Sequence, residues 1–170
     1  QVWGMPGFPE YVVPIKNLGG KVLPYSLDAR PIYIYKVEES GKILGFPINL
    51  NQDALYFAAD SDLILDKEDS ELNLEFMIEI WNPVVTSVDL LGKIYWGTLS
   101  EKIALQVEFL LLEDHFLFDE AAKIEVETPV TGEEIVVDND LRRDFQKLEI
   151  EITEHMRAPY TLRREIALAE

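Results

Sequence analysis

Cysteine is absent from all 170 residues, which removes a disulfide framework, a thiolate nucleophile and any cysteine-ligated zinc or iron–sulfur site. No apolar run approaches the roughly 20 residues needed to cross a bilayer. The longest uncharged stretches, such as Ile103-Ala104-Leu105-Gln106-Val107, are soon broken by acids, so the chain does not read as an integral membrane protein. Basic residues are scarce: 15 Lys and Arg stand against 32 Asp and Glu, a formal net charge of −17. A field of that sign repels phosphate backbones and anionic headgroups, and it favours a protein partner with a basic surface over a nucleic acid. Catalytic signatures are missing too, with no Gly-x-Ser-x-Gly elbow, no His-Glu-x-x-His, no phosphate-cradling Gly-x-x-x-x-Gly-Lys and no Gly-x-Gly-x-x-Gly. Only two histidines occur, and neither His115 nor His155 has a second ligand at fixed local spacing.

What is present is enough for one globular domain. Hydrophobic residues make up 48% of the chain and aromatics 11%, so the acidic excess does not make it a disordered polyelectrolyte. The charge is uneven: residues 61–140 hold 20 acids and 4 bases, whereas residues 141–170 hold 6 of each. The first residues, Gln1-Val2-Trp3-Gly4-Met5-Pro6, carry no basic start and no signal-peptide apolar block, and they read as a processed chain or a piece of a longer one.

Period-two patterning dominates. Leu72, Leu74, Phe76, Ile78 and Ile80 alternate with mostly polar neighbours, which predicts a half-buried strand with Ile78 in the core and Glu79 facing solvent. Alternation recurs at 123–127, at 147–153 and at Ile103, Leu105, Val107, Phe109 and Leu111, although Ile103, Val107, Leu110 and Leu111 also suit a helix. Glu39-Ser40-Gly41 and Pro129-Val130-Thr131-Gly132 read as hairpin loops. Asp140 could cap a short helical turn through Leu141, Phe145 and Leu148, and 161–166 is either a C-terminal helix or a last strand. The expected fold is mainly β, an antiparallel sandwich of about eight strands with helix below about a quarter of residues. Residues 1–20, broken by prolines, form an extended arm or edge strand, and 21–170 a single domain.

Three groups of residues invite a function. Trp3, Phe8 and Tyr11 on a Pro/Gly-broken backbone have the makings of an arm that docks in a groove. Glu125, Glu127, Glu133 and Glu134 crowd one predicted hairpin and would meet a basic partner. Asp60, Asp62 and Asp89 offer oxygens for calcium; Asp138-Asn139-Asp140 is no EF-hand loop, because Arg142 and Arg143 take the places of a ligand and the turn glycine.

The stretch from Leu74 to Pro83, followed by Val88-Asp89-Leu90-Leu91-Gly92-Lys93-Ile94-Tyr95-Trp96-Gly97-Thr98-Leu99, resembles the central part of a C2 domain: a strand with an aromatic step, a loop, then an Asp-apolar-apolar-Gly corner. The resemblance implies a sandwich scaffold with Leu91 in the core. Asn82 and Val84 stand where calcium-binding members carry aspartates, so it implies calcium-independent protein binding without a cofactor. The expectation is therefore a non-catalytic interaction or assembly module that binds a protein or a second copy of itself, and not an enzyme. The alternatives are a calcium-dependent membrane- or protein-binding module and a structural subunit of a larger assembly.

Overall fold

The fold is described from a computed structural model, over residues 19–25, 30–91 and 97–169. The expected arm residues 1–18, including Trp3, Phe8 and Tyr11, lie outside the described residues.

Strands β1 (Lys21–Tyr25), β2 (Arg30–Val37) and β3 (Lys42–Asn49) form an antiparallel meander. Gly41 turns the β2–β3 hairpin at φ 88°, a left-handed conformation that glycine adopts without steric cost. The other edge of β3 is shared. β5 (Phe76–Glu79) pairs with its end at Ile48 and Asn49, while β6 (Val84–Ser87) pairs with its start at Lys42–Gly45. β4 (Asp62–Leu65) extends the sheet beyond β5, and β7 (Gly97–Thr98) beyond β1. Among the described residues the strand order is β4-β5-β3-β2-β1-β7, with β6 beside β3.

Helices cover both faces. In α1 (Glu101–Asp114), the Ser100 hydroxyl caps the start by accepting from the Ile103 amide, and Ile103, Gln106 and Val107 are buried at helical spacing. Ile103 and Val107 join Phe46, Ile48, Leu63, Leu65, Phe76 and Ile78 in the larger core. A short α2 (Phe118–Ala121) follows. On the opposite face, α3 (Leu141–Ala169) sets Met156 against Ile32, Ile34, Ile43, Val84 and Leu91. Asp140 starts this helix, accepting from the Arg142 amide at 2.9 Å.

This is an open, mainly antiparallel sheet between helices, 43% helical and 27% strand, so the eight-strand sandwich with little helix is corrected. The 103–111 segment is helical because its core-facing set is Ile103, Gln106 and Val107, not the alternate residues. The 147–153 segment is helical too, with Glu149 and Thr153 turned inward while Leu148, Ile150 and Ile152 face solvent. The 123–127 strand and its hairpin do not form. Residues 125–137 cross the molecule irregularly, held by isolated bridges from Thr131 to Leu63 and from Glu133 to Ala59. The C2 expectation fails on topology, since β6 leaves β5 and pairs with β3, and β7 pairs with β1.

Candidate active site beneath helix α3

Because both faces of the sheet are covered, both residue parities of its strands are buried. Phe76 and Ile78 of β5 face α1, and Met77 and Glu79 face the other way. The same α3-side face collects Arg30 from β2, Asn49 from β3 and Asp62 from β4, so four adjacent strands each contribute one polar side chain. Asn82 joins them from the β5–β6 turn, and α3 closes over the group with Glu149 and Thr153.

The groups are bonded into one network. The Arg30 guanidinium lies 2.9 Å from Glu149 and 3.3 Å from Glu79. Asn49 Nδ2 donates to Glu149 Oε1 at 2.8 Å, and Asn82 Nδ2 donates to Glu79 Oε1 at 3.1 Å. Thr153 donates to Asn82 Oδ1 at 2.9 Å. Asp62 accepts from the Ala59 amide at 2.9 Å and from Trp81 Nε1 at 2.8 Å. Three side-chain polar atoms, Arg30 Nε, Thr86 Oγ1 and Glu149 Oε2, are buried with no hydrogen-bond partner among the described residues, the last of them facing the Arg30 guanidinium as an ion pair at 2.9 Å.

One guanidinium serves two carboxyls, Glu79 and Glu149, while Asp62 is held by the Ala59 amide and Trp81, and burial acts on the proton affinities of Glu79 and Asp62. Desolvation pushes Glu79 up to about 8, outweighing the attraction of Arg30 and aided by the neighbouring charge of Glu149. Desolvation also pushes Asp62 up to about 6, against the hydrogen bonds from Ala59 and Trp81 that favour its carboxylate. Of the two, Glu79 therefore holds its proton the more tightly. Two carboxyls with separated proton affinities beside a fixed cation have the composition of an acid–base centre.

The sequence-derived candidates fare differently. Glu125, Glu127, Glu133 and Glu134 are all exposed, on the irregular crossing segment and not on a hairpin. Glu127 pairs with Lys102 at 3.2 Å, while the backbone carbonyls of Glu133 and Glu134 accept from Arg142. Asp60 is exposed and Asp62 buried. Asp89 is exposed and bonded to Ser87 and Arg163, and the hydrogen bond from Ser87, aided by Arg163, holds its carboxyl below the usual range. These three aspartates do not assemble a metal-holding group among the described residues. Sequence reasoning missed Arg30, Asn49, Glu79, Asn82, Glu149 and Thr153. The available signal was Phe76-Met77-Ile78, a continuous apolar run that marks a strand covered on both faces, ending directly in a charge.

No protein-family profile matches the chain, and no curated protein matches it in sequence. Solved structures do overlap it, among them the following three. An endoribonuclease from a mycobacterial species, in complex with its cognate antitoxin, is 16% identical over 62% of this chain and 97% of its own, with a TM-score of 0.43. The Mycobacterium tuberculosis toxin MazF-mt6 is 21% identical over 62% and 98%, with a TM-score of 0.37. A further mycobacterial endoribonuclease is 14% identical over 65% and 95%, with a TM-score of 0.41. Likeness at this level assigns no family, and the reading of the site rests on the chain's own residues. None of the three is a C2 domain or a scaffold module, and two are named as enzymes. The open-sheet topology corrects the expectation of a C2 domain, and the expectations built on it, a non-catalytic interaction or assembly module and a chain that is not an enzyme, lose their support.

Proposed function

We propose that the network under α3 is the centre of a phosphodiester-cleaving enzyme whose substrate is RNA, held closed in the form described. The observation that carries this reading is Arg30, a cation lodged between Glu79 and Glu149 with its Nε lacking a bonded partner. An RNA backbone brings its own nucleophile, the 2′-hydroxyl. In-line cleavage then needs an acceptor for the hydroxyl proton, a donor for the departing 5′-oxygen and a cation for the charge gathering on phosphorus. Asp62 is the acceptor, Glu79 the donor and Arg30 the cation. The Glu149 carboxylate occupies the seat of the substrate anion, so α3 must lift for turnover, and the acidic field outside slows the approach of a polyanion. The names of two of the overlapping structures suggest the substrate to try first without adding to the argument.

The test is incubation of the purified chain with RNA and with DNA of the same sequence. Cleavage of RNA alone, leaving 2′,3′-cyclic phosphate ends, is expected. Glu79→Gln should slow it by about 100-fold or more, the usual contribution of a general acid. Glu149→Ala, which empties the anion seat, should speed it. Absence of cleavage by both wild type and Glu149→Ala sinks the proposal.

The exposed Glu125, Glu127, Glu133 and Glu134 belong to the same reading as contacts for a basic protein partner. Replacing all four by Gln should slow association and flatten its salt dependence while leaving the fold intact.

A further inference from the structure

A cavity of about 370 Å³ opens between the end of α1, the turn before β4 and the crossing segment. Its apolar part is Ile80, Leu110 and Phe116, and its rim carries four acids, Asp60, Glu113, Asp114 and Glu134. Phe116 follows α1 in the left-handed conformation at φ 61° and is 81% exposed. Phe118 lies edge-on to it at 6.3 Å and is itself 59% exposed. Aromatic rings exposed side by side at the mouth of a cavity mark a surface that another molecule covers.

The chain does not compensate the charge gathered there. Glu113 and Asp114 stand in the last turn of α1, which holds no basic residue, although the end of a helix carries partial negative charge and favours cations. Among the described residues none of the four acids makes an ion pair. Arg142 is the nearby cation, but Asp140 holds it at 2.7 Å and the Ala58, Glu133 and Glu134 carbonyls take its other donors. The acids ring the mouth instead of converging, and among the described residues no three of them could hold a metal ion.

We propose that this cavity takes an arginine side chain of a protein partner, with the guanidinium on the Phe116 ring and among the four acids. Charge selects a cation and turns away phosphate backbones and anionic lipid. Shape selects arginine: a planar guanidinium reaches separated carboxylates through five N–H donors and stacks on an aromatic face, which a compact ammonium does less well. Its methylene stem suits Ile80 and Leu110. The inference rests on the reading of Glu134 and its acidic neighbours as contacts for a basic partner, gives that partner an anchoring residue, and is independent of the chemistry under α3.

Nuclear magnetic resonance of the full chain tests it, with a capped pentapeptide Ser-Leu-Arg-Leu-Ser as the probe. The control peptide carries citrulline, which keeps the shape of arginine without its charge. Saturable shifts at Ile80, Leu110 and Phe116 are expected with the arginine peptide, and an affinity at least tenfold lower with citrulline. Phe116→Ala, and Glu113→Gln with Asp114→Asn, should each weaken binding several-fold. No saturable shift at the cavity, or equal binding of the two peptides, overturns the proposal. Without peptide, Glu113→Gln with Asp114→Asn should raise the melting temperature, because it removes acids from the unfavourable end of a helix; a lower one would mean that the chain itself already pairs these acids, and the proposal falls. So short a peptide does not reach Glu125 and Glu127, so Glu125→Gln with Glu127→Gln should leave its affinity unchanged. Equal weakening by that pair would show that the general acidic field holds the peptide, which overturns the cavity while sparing the wider reading of a basic partner.

Discussion

Arg30 on β2 and Glu149 on α3 meet at 2.9 Å, and through Asn49 and Glu79 this one contact fastens the long helix to three strands. Removing the guanidinium leaves the carboxyls of Glu149 and Glu79 buried without their cation. Arg30→Ala is therefore expected to destabilise the chain by about 3–5 kcal/mol, the range for breaking one side of a buried ion pair. Replacing Arg30 by Met and Glu149 by Leu together should cost less than Arg30→Ala alone, because no orphaned Glu149 charge remains. Urea unfolding of the three chains at pH 7 gives both comparisons; equal costs would mean that the pair is not coupled.

Ile78 is fully buried between β3 and β4, opposite Ile48 and Leu63. Ile78→Ala should cost about 2–5 kcal/mol through lost burial and the cavity left behind. The sequence also predicted that the neighbouring Glu79→Ala would be nearly silent. The structure reverses that expectation, since Glu79 is fully buried and holds Asn82 and Arg30. Both changes should register in the same urea experiment, and an unaffected Glu79→Ala would contradict the burial.

The β2–β3 hairpin, the core positions Ile78 and Leu91, and the helical start at Asp140 were legible because each rests on local chemistry: a turn glycine, apolar side chains and a capping carboxylate. The site was not legible, because it is built by a face of the sheet that patterning treats as solvent. Alternation at Leu148, Ile150 and Ile152 points to a strand, yet these residues face outward on a helix, and the residues that bind the sheet are the polar Glu149 and Thr153. The rule that apolar residues face the core fails where a helix docks through hydrogen bonds. Arg30, Asn49, Asp62, Glu79 and Glu149 lie far apart in sequence, and only strand order brings them together.

Gly132 is a point of close approach. A β-carbon built there would stand 2.0 Å from the Ala58 carbonyl oxygen, which is backbone and cannot swing aside. Gly132→Ala must push the crossing segment off the sheet, breaking the bond from its amide to the Ala59 carbonyl. The expected cost is about 1–3 kcal/mol, as for other overpacked positions. Limited proteolysis should then cut within 125–137 faster than in wild type; unchanged cleavage would show that the segment is not held at this point.

Burial of Glu79 and Asp62 makes the stability of the fold depend on pH. Glu79 is raised from an ordinary 4.5 to about 8 and Asp62 from 3.8 to about 6. Each carboxyl binds its proton more tightly folded than unfolded, so between the two values the native state carries the more protons. Stability then falls as pH rises, from about 4 to 6 for Asp62 and from about 4.5 to 8 for Glu79, by at most about 1.4 kcal/mol per pH unit for each group. Above pH 8 both are ionised in either state and these two contributions level off. The usual carboxylate, depressed by a partner, gives the opposite slope. Glu79→Gln keeps a neutral group of the same shape and should remove its share of the decline, leaving that of Asp62 below pH 6. Unfolding free energies measured from pH 5 to 9 on wild type and Glu79→Gln decide the matter: identical slopes between pH 6 and 8 would mean that Glu79 is ionised in the folded chain, and the proton-donor role assigned to it would fall as well.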